Sequence, residues 1–303
     1  MAGIILLMIS ISACSKKYLE KGALGSTSET TLATEGGVQG LLTGAYSLMD
    51  KGGWPSGNWV FGGVASDDAH TGTEAGALQP IPSFENYTFD ATTYPLDNKW
   101  KELYAGVQRA NDVLRILAEI PAGQITPEQA TQMKAEAIFL RGVFHLTAAM
   151  MWKNIPYIDE SVSFKNGNFN VPNTVSAWPF IEKDFQFAAD SLTPTKSDAG
   201  RANSWAAKAF LIKTYMFEHK FTEAQPLLDD VIDFERTEAG RLELSDEPVH
   251  AGELARSVFR LLEPQALAKG LTLTLEGAEG LGWVRTDPVR LRQCLFNLMG
   301  NAV

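Results

Sequence analysis

Three side chains with metal-ligating chemistry lie almost side by side: Asp67, Asp68 and His70. A metal cage normally draws ligands at fixed spacings from more than one element. Asp-Asp-x-His in an irregular stretch fits a turn and cap cluster instead, so no metal site is expected. The cysteines, Cys14 and Cys294, are far apart, and neither has a metal-ligand partner at short spacing. That excludes a zinc ribbon and a disulfide framework. The four histidines are His70, His145, His219 and His250. His145 sits on an apolar helical stripe, where a core or helix-interface role is expected. The formal net charge is −10, and no basic block offsets it. A nucleic-acid surface is therefore excluded.

The elements that must position these groups are mostly helical. The strongest signal spans 135–156, where Ile138, Leu140, Val143, Phe144, Leu146 and Met150 recur at three- and four-residue spacings. One broad face of this helix is expected to be buried. Glu136, Arg141, His145 and Lys153 interrupt it, so it is too polar to span a membrane. Further amphipathic helices are expected over 35–50, 98–119 and 177–192. Thr126 followed by Pro127 marks a helix start. Residues 203–218 and 221–232 read as a helical hairpin of tetratricopeptide-like character, with Ala206, Ala207 and Ala209 permitting close approach. Residues 52–63, 65–94 and 164–173 read as loops. Residues 16–35 are polar and rich in Gly, Ser and Thr, as in a tether. Before them, the apolar run 4–11 leads into Ser12-Ala13-Cys14, the context of a bacterial lipoprotein signal.

Taken in order, these segments resemble the SusD/RagB family of outer-membrane nutrient-binding lipoproteins. The resemblance is carried by the lipobox at Cys14, the helix bearing Tyr46, and Trp100 to Asn111 in the pattern W-x₂-L-Y-x₆-N. It continues through AEAIFLRGVFHLTAAMMWKNIPY and the helical pair ending at Ile232. Within the long segment Glu136, Phe139, Leu140, Arg141 and Pro156 match, with a Pro-containing strand start after the helix. The resemblance implies a mainly α, tetratricopeptide-like fold without catalysis. It implies lipidation of Cys14 and a place at the outer membrane. The implied partners are a TonB-dependent transporter and an oligosaccharide or peptide ligand. Such capture rests on aromatic stacking and polar contacts to hydroxyl groups, for which Trp54, Asn58, Trp59 and Asp68 are the candidates. The chain is shorter than is typical of that family, so a truncated member is expected.

The last seventy residues change character. Residues 1–233 carry 14 Lys and 4 Arg, whereas 234–303 carry 1 Lys and 7 Arg. FERTEAGRLEL at 234–244 and DPVRLRQCLFNLMGNAV at 287–303 resemble a sensor histidine kinase, from the exit of its dimerisation helix through its N-box. The resemblance implies a small partial α/β fold and places Asn297 and Asn301 at Mg-ATP-binding positions, one helical turn apart on one face. Asp287 is expected to cap that helix, Gly270 to end the preceding one, and 271–276 to form a strand. Arg290 and Arg292 are expected on a solvated face. The phosphoacceptor His and the Gly-rich boxes are missing, so no phosphotransfer is expected. The expected organisation is a signal at 1–14, a SusD-like domain at 15–232 and a kinase-like segment at 233–303. The two resemblances demand different compartments, the pattern expected of two joined reading frames meeting near 227–233. The leading reading is a non-catalytic capture protein with no cofactor. The alternative is an inactive kinase fragment, with Mg-ATP as its ligand.

Overall fold

The computed structural model describes residues 29–49, 57–70, 72, 80–196, 198–239 and 244–300. They form two units, Met1–Val231 and Ile232–Val303. Among the described residues, no helix is long and apolar enough to cross a membrane.

In the first unit helix α1 spans Glu35–Tyr46, α2 Tyr94–Ala118, α3 Pro127–Trp152, α4 Trp178–Ser191 and α5 Ser204–Phe217. Helix α6, Phe221–Glu238, follows α5 after a short turn and contains the boundary between units. Local chemistry sets several starts. Thr34 caps α1 by accepting from the Gly37 amide, and Asn203 caps α5 through Ala206. Thr126 and Gln129 form a reciprocal capping box at α3, with Pro127 in the first turn. Helix α3 therefore starts at the expected Thr126-Pro127 signal, ahead of the apolar pattern that begins at 135.

Helix α3 is the centre of the bundle, packed against α2 on one side and α4 on another. From Ala135 to Ala149 nearly every side chain is buried, not one face as expected from the sequence. A helix enclosed on all sides has no polar stripe to spare. Its neighbours come close because glycines face them. A Cβ on Gly106 would lie 2.5 Å from the Phe144 ring, and one on Gly142 would lie 3.0 Å from Phe185.

Three ionisable residues of α3 are enclosed with the apolar ones, and all of their buried polar atoms but the His145 Nδ1 find partners. The Arg141 guanidinium donates to Asp184 through Nε (3.0 Å) and Nη2 (2.7 Å). Its Nη1 donates to Glu160 at 2.5 Å and to Asn111 at 3.3 Å. Burial works against the Arg141 charge, but Asp184 outweighs it and raises the group above an ordinary arginine. Burial likewise pushes the Asp184 carboxyl up, against the pull of Arg141. Glu136 accepts from the Tyr46 hydroxyl (2.8 Å), Arg201 (3.1 Å) and Lys196 (3.2 Å). His145 Nε2 accepts from the Ile158 amide at 3.1 Å, which assigns the proton to Nδ1. Burial, aided by the nearby Arg141 charge, depresses its pKa to about 3.

After Lys153, at φ +61°, the chain runs extended through Ile155 to Ile158. A strand was expected there, but no ladder forms. Side chains from α2 and α3 take the place of a neighbouring strand. Tyr104 donates to the Pro156 carbonyl (2.8 Å), Asn111 to Ile158 (3.0 Å) and Arg115 to Glu160 and Val162 (both 2.8 Å). The expected α5–α6 turn is present and is reversed at His219, φ +59°. Lys208 pairs with Asp230 across it at 3.2 Å. The broad packing face of α5 nevertheless goes to α4, through Ala207 and Leu211.

The second unit pairs strand β1, Glu247–His250, antiparallel with β2, Trp283–Thr286. Helix α7, Ala251–Ala268, packs on α8, Pro288–Gly300. Its buried stripe is Leu254, Val258, Leu262 and Ala266. Asp287 caps α8 through the Val289 (2.9 Å) and Arg290 (3.0 Å) amides. Gly270, at φ +71°, follows the end of α7, as expected. The expected strand at 271–276 is absent. That segment lies exposed or half-buried without a ladder, and an isolated alternating run has no neighbour to satisfy its backbone. Arg292 is exposed as expected, but Arg290 is partly covered and pairs with Asp233.

Two outcomes test this account of the core. Arg141→Met strands a buried carboxylate and should cost about 3–5 kcal/mol in urea unfolding, whereas pairing it with Asp184→Leu should recover much of the loss. An additive double variant would contradict the coupling. For His145, the unfolded chain binds a proton near pH 6.5 that the folded chain refuses until about pH 3. Its contribution is thus complete above pH 6.5 and is lost as pH falls, with a slope approaching about 1.4 kcal/mol per pH unit. Unfolding curves at pH 7.5, 6 and 5 should show His145→Gln losing that slope.

Candidate functional site

A second, small apolar cluster lies between α1 and α2 in sequence, apart from the main core. Val60, Val64, Ile81 and Phe84 are buried in it, with Phe61, Ala69 and Leu96 packed around them. Val60–Val64 form a single π-helical turn and Pro82–Glu85 one turn of α-helix, so the expected loops at 52–63 and 65–94 are partly structured. Phe84 is the keystone. It meets Phe61 edge-on at 5.4 Å and stacks on Phe89 at 4.6 Å.

The outer surface of this lobe carries aromatic rings. Trp59 is 39% exposed, Tyr87 64% and Phe89 40%, and Tyr94 stands at the first turn of α2. Two of these rings are held, Phe89 by its stack on Phe84 and Tyr87 by its backbone contact. Tyr87 has φ +54° and donates its hydroxyl to the Ala65 carbonyl at 2.6 Å. A positive φ is costly for a bulky residue, so the surrounding contacts must hold it. Asp90 accepts from the Thr92 amide (2.8 Å) and hydroxyl (2.7 Å), fixing the turn after Phe89. These bonds from Thr92 lower the Asp90 carboxyl below its ordinary range.

Of the sequence candidates, Asn58, Trp59 and Asp68 all fall on this lobe. Trp54 lies outside the described residues, as do Cys14 and Asn301. Asn58 Oδ1 accepts from the buried Lys99 ammonium at 2.9 Å, so contact with a ligand falls to its NH₂ group. Asp68 is exposed and accepts from Ser66 at 3.0 Å. His70 meets Glu85 at 2.6 Å. Among the described residues, no group of three His, Cys, Asp or Glu is placed to hold a metal. Tyr87, Phe89 and Tyr94 were missed in the sequence. The available signal was three aromatics between turn residues with no helical period to bury them. Asn297 lies on α8.

An aromatic, polar surface of this kind suits ligands with one apolar face and many hydroxyls. The family model described as starch-binding associating with outer membrane, SusD-like, matches residues 17–216. The chain belongs to the SusD-like family. A SusD-like protein of Bacteroides ovatus is 28% identical over 136 residues, 45% of this chain and 25% of that protein. The solved structure of a laminarin-binding SusD-like protein superposes with a TM-score of 0.57 at 28% identity, covering 65% of this chain and 43% of that one. The chain thus matches well under half the length of these SusD-like relatives. A different relative matches a shorter stretch. The autoinducer 2 sensor kinase/phosphatase LuxQ of Vibrio parahaemolyticus is 32% identical over 89 residues, 29% of this chain and 10% of that protein.

If the lobe is its own small core, Phe84→Ala should cost about 3–5 kcal/mol locally. Hydrogen exchange should then quicken across 60–64 and 81–89 while α3 keeps its protection. Equal loss of protection in α3 would mean the lobe is not separate.

Proposed function

We propose that this protein captures a saccharide at the outer membrane without transforming it. The observation that carries the proposal is the set of exposed rings on the lobe, Trp59, Tyr87 and Phe89. A pyranose offers an apolar face to such a ring and hydroxyls to flanking polar groups, here the Asn58 amide and the Asp68 carboxylate. Membership of a starch-binding family and likeness to a laminarin-binding relative support a glucan as ligand. A peptide is the other ligand class that the family resemblance brings.

Arg141, His145, Tyr157 and Asp184 all have displaced proton affinities. All take part in the core network, where they hold helices together instead of facing a cleft. That supports binding over catalysis. In the full proposal residues 1–14 direct export and Cys14 carries the lipid, with acyl chains anchoring at about 0.8 kcal/mol per CH₂. Residues 15–232 then bind the glycan and hand it to a TonB-dependent transporter.

For residues 233–303 the likeness to the Vibrio sensor kinase supports a kinase-derived segment ending in the N-box helix, with Asn297 and Asn301 at its nucleotide positions. An acceptor histidine in kinase context is missing from the sequence, so phosphotransfer has no place in this reading.

Calorimetry with maltohexaose and laminarihexaose tests the capture role. Trp59→Ala should weaken binding of the preferred glucan about tenfold, equivalent to ~1.4 kcal/mol, with an unchanged melting temperature. Unaltered affinity would remove the lobe from the site.

A further inference from the structure

A cleft of about 870 Å³ opens on another part of the first unit. Its walls are the last turns of α2, the first turns of α3 and residues 160–166. Leu114, Leu117, Ala118 and Ala130 supply apolar surface. The charges along it balance, with Arg115, Lys134 and Lys165 against Asp112, Glu119 and Glu160. The volume falls within the ~300–1,000 Å³ typical of small-molecule sites. The balance of charge favours a neutral ligand over an anion or a cation.

The segment beside the cleft is built to hold two rings in water. Phe164 is 83% exposed and Phe169 55%, and their centroids lie 4.7 Å apart. Such exposure needs a cause, since neither ring gains from burial. The segment is also fixed in place. Arg115 clamps the Glu160 and Val162 carbonyls. Asn168 accepts from the Ser163 amide (2.9 Å), and Asn166 donates to the Ser161 carbonyl (2.8 Å). Gly167, at φ +68°, closes the turn. A held aromatic plate beside a charge-balanced cleft is pre-organised for binding.

We propose that this cleft is a second saccharide subsite, separate from the lobe around Phe84. A sugar ring stacks on Phe164, backed by Phe169, while its neighbours enter the cleft. Lys165 and Asn166 stand beside Phe164 to meet hydroxyls. A protein partner fits less well, because a stable protein interface buries roughly 800 Å² on each side and the plate is only two rings wide. The proposal rests on the saccharide-capture reading and extends it to a longer glucan chain held at two points.

Methyl-labelled full-length protein titrated with laminarihexaose and maltohexaose separates the two sites. Leu114, Ile116 and Leu117 report the cleft, and Val64 and Ile81 report the lobe. Saturable shifts are expected in both sets. Phe164→Ala should weaken the cleft response about five- to tenfold and leave the lobe response intact. Phe164→Leu keeps an exposed apolar side chain without a ring and should weaken it similarly. Shifts confined to the lobe would overturn the subsite and leave the capture reading standing. Shifts confined to the cleft would uphold the subsite and remove the lobe. A cleft response untouched by both Phe164 variants, or no response anywhere to either glucan, would overturn the proposal.

Discussion

A single buried cation organises the first unit. The Arg141 guanidinium sits at the middle of α3 with Asp184 from α4, Asn111 from α2 and Glu160 from the extended segment. A charge in the interior is tolerated only when its donors are met. Meeting them requires all four pieces at once, in one relative placement. Apolar packing alone would accept small slides of one helix along another. The fork of the guanidinium does not, because two parallel bonds to one carboxylate fix both distance and plane. Glu136, about one and a half turns earlier on α3, does the same for α1 and the segment before α5. The two hubs together pin the helix that α1, α2, α4 and α5 pack against.

The bundle was legible in the sequence through its period. Leu140, Phe144 and the Trp100–Leu114 stripe announced which positions are inside, and all the long helices of the first unit were expected near where they lie. The role of the polar residues within those stripes was not legible. Glu136 and Arg141 read only as interruptions too polar for a membrane span, although His145 was expected in the core, where it lies. All three are buried, and the partners of Glu136 and Arg141 come from distant segments that no local spacing reveals. The same reason hid the extended stretch after Pro156. The family resemblance suggested a strand start there, but Tyr104, Asn111 and His145 supply the hydrogen bonds that a neighbouring strand would have given. At 271–276 apolar alternation suggested a strand, and the neighbour is absent.

The candidate site was half legible. Trp59 was visible as an aromatic outside any helical stripe. Tyr87 and Phe89 were not, because their exposure follows from the fold of a small separate cluster around Phe84. That arrangement separates rigidity from recognition. The helical bundle holds the framework, and the ring-bearing surfaces sit on irregular segments tied down by turns. Loops on a stiff scaffold are where binding surfaces vary without cost to the core.

The Arg141 network has a consequence for the order of folding. Its partners stand 43, 30 and 19 residues away along the chain. Contacts so distant close late, after local helix formation, because the loops between them must first be brought together. Until then the guanidinium keeps its water, and a collapsed chain with one partner missing is penalised for burying it. The network therefore acts as a final check on assembly, rejecting compact states in which α2, α3 and α4 have met in the wrong alignment.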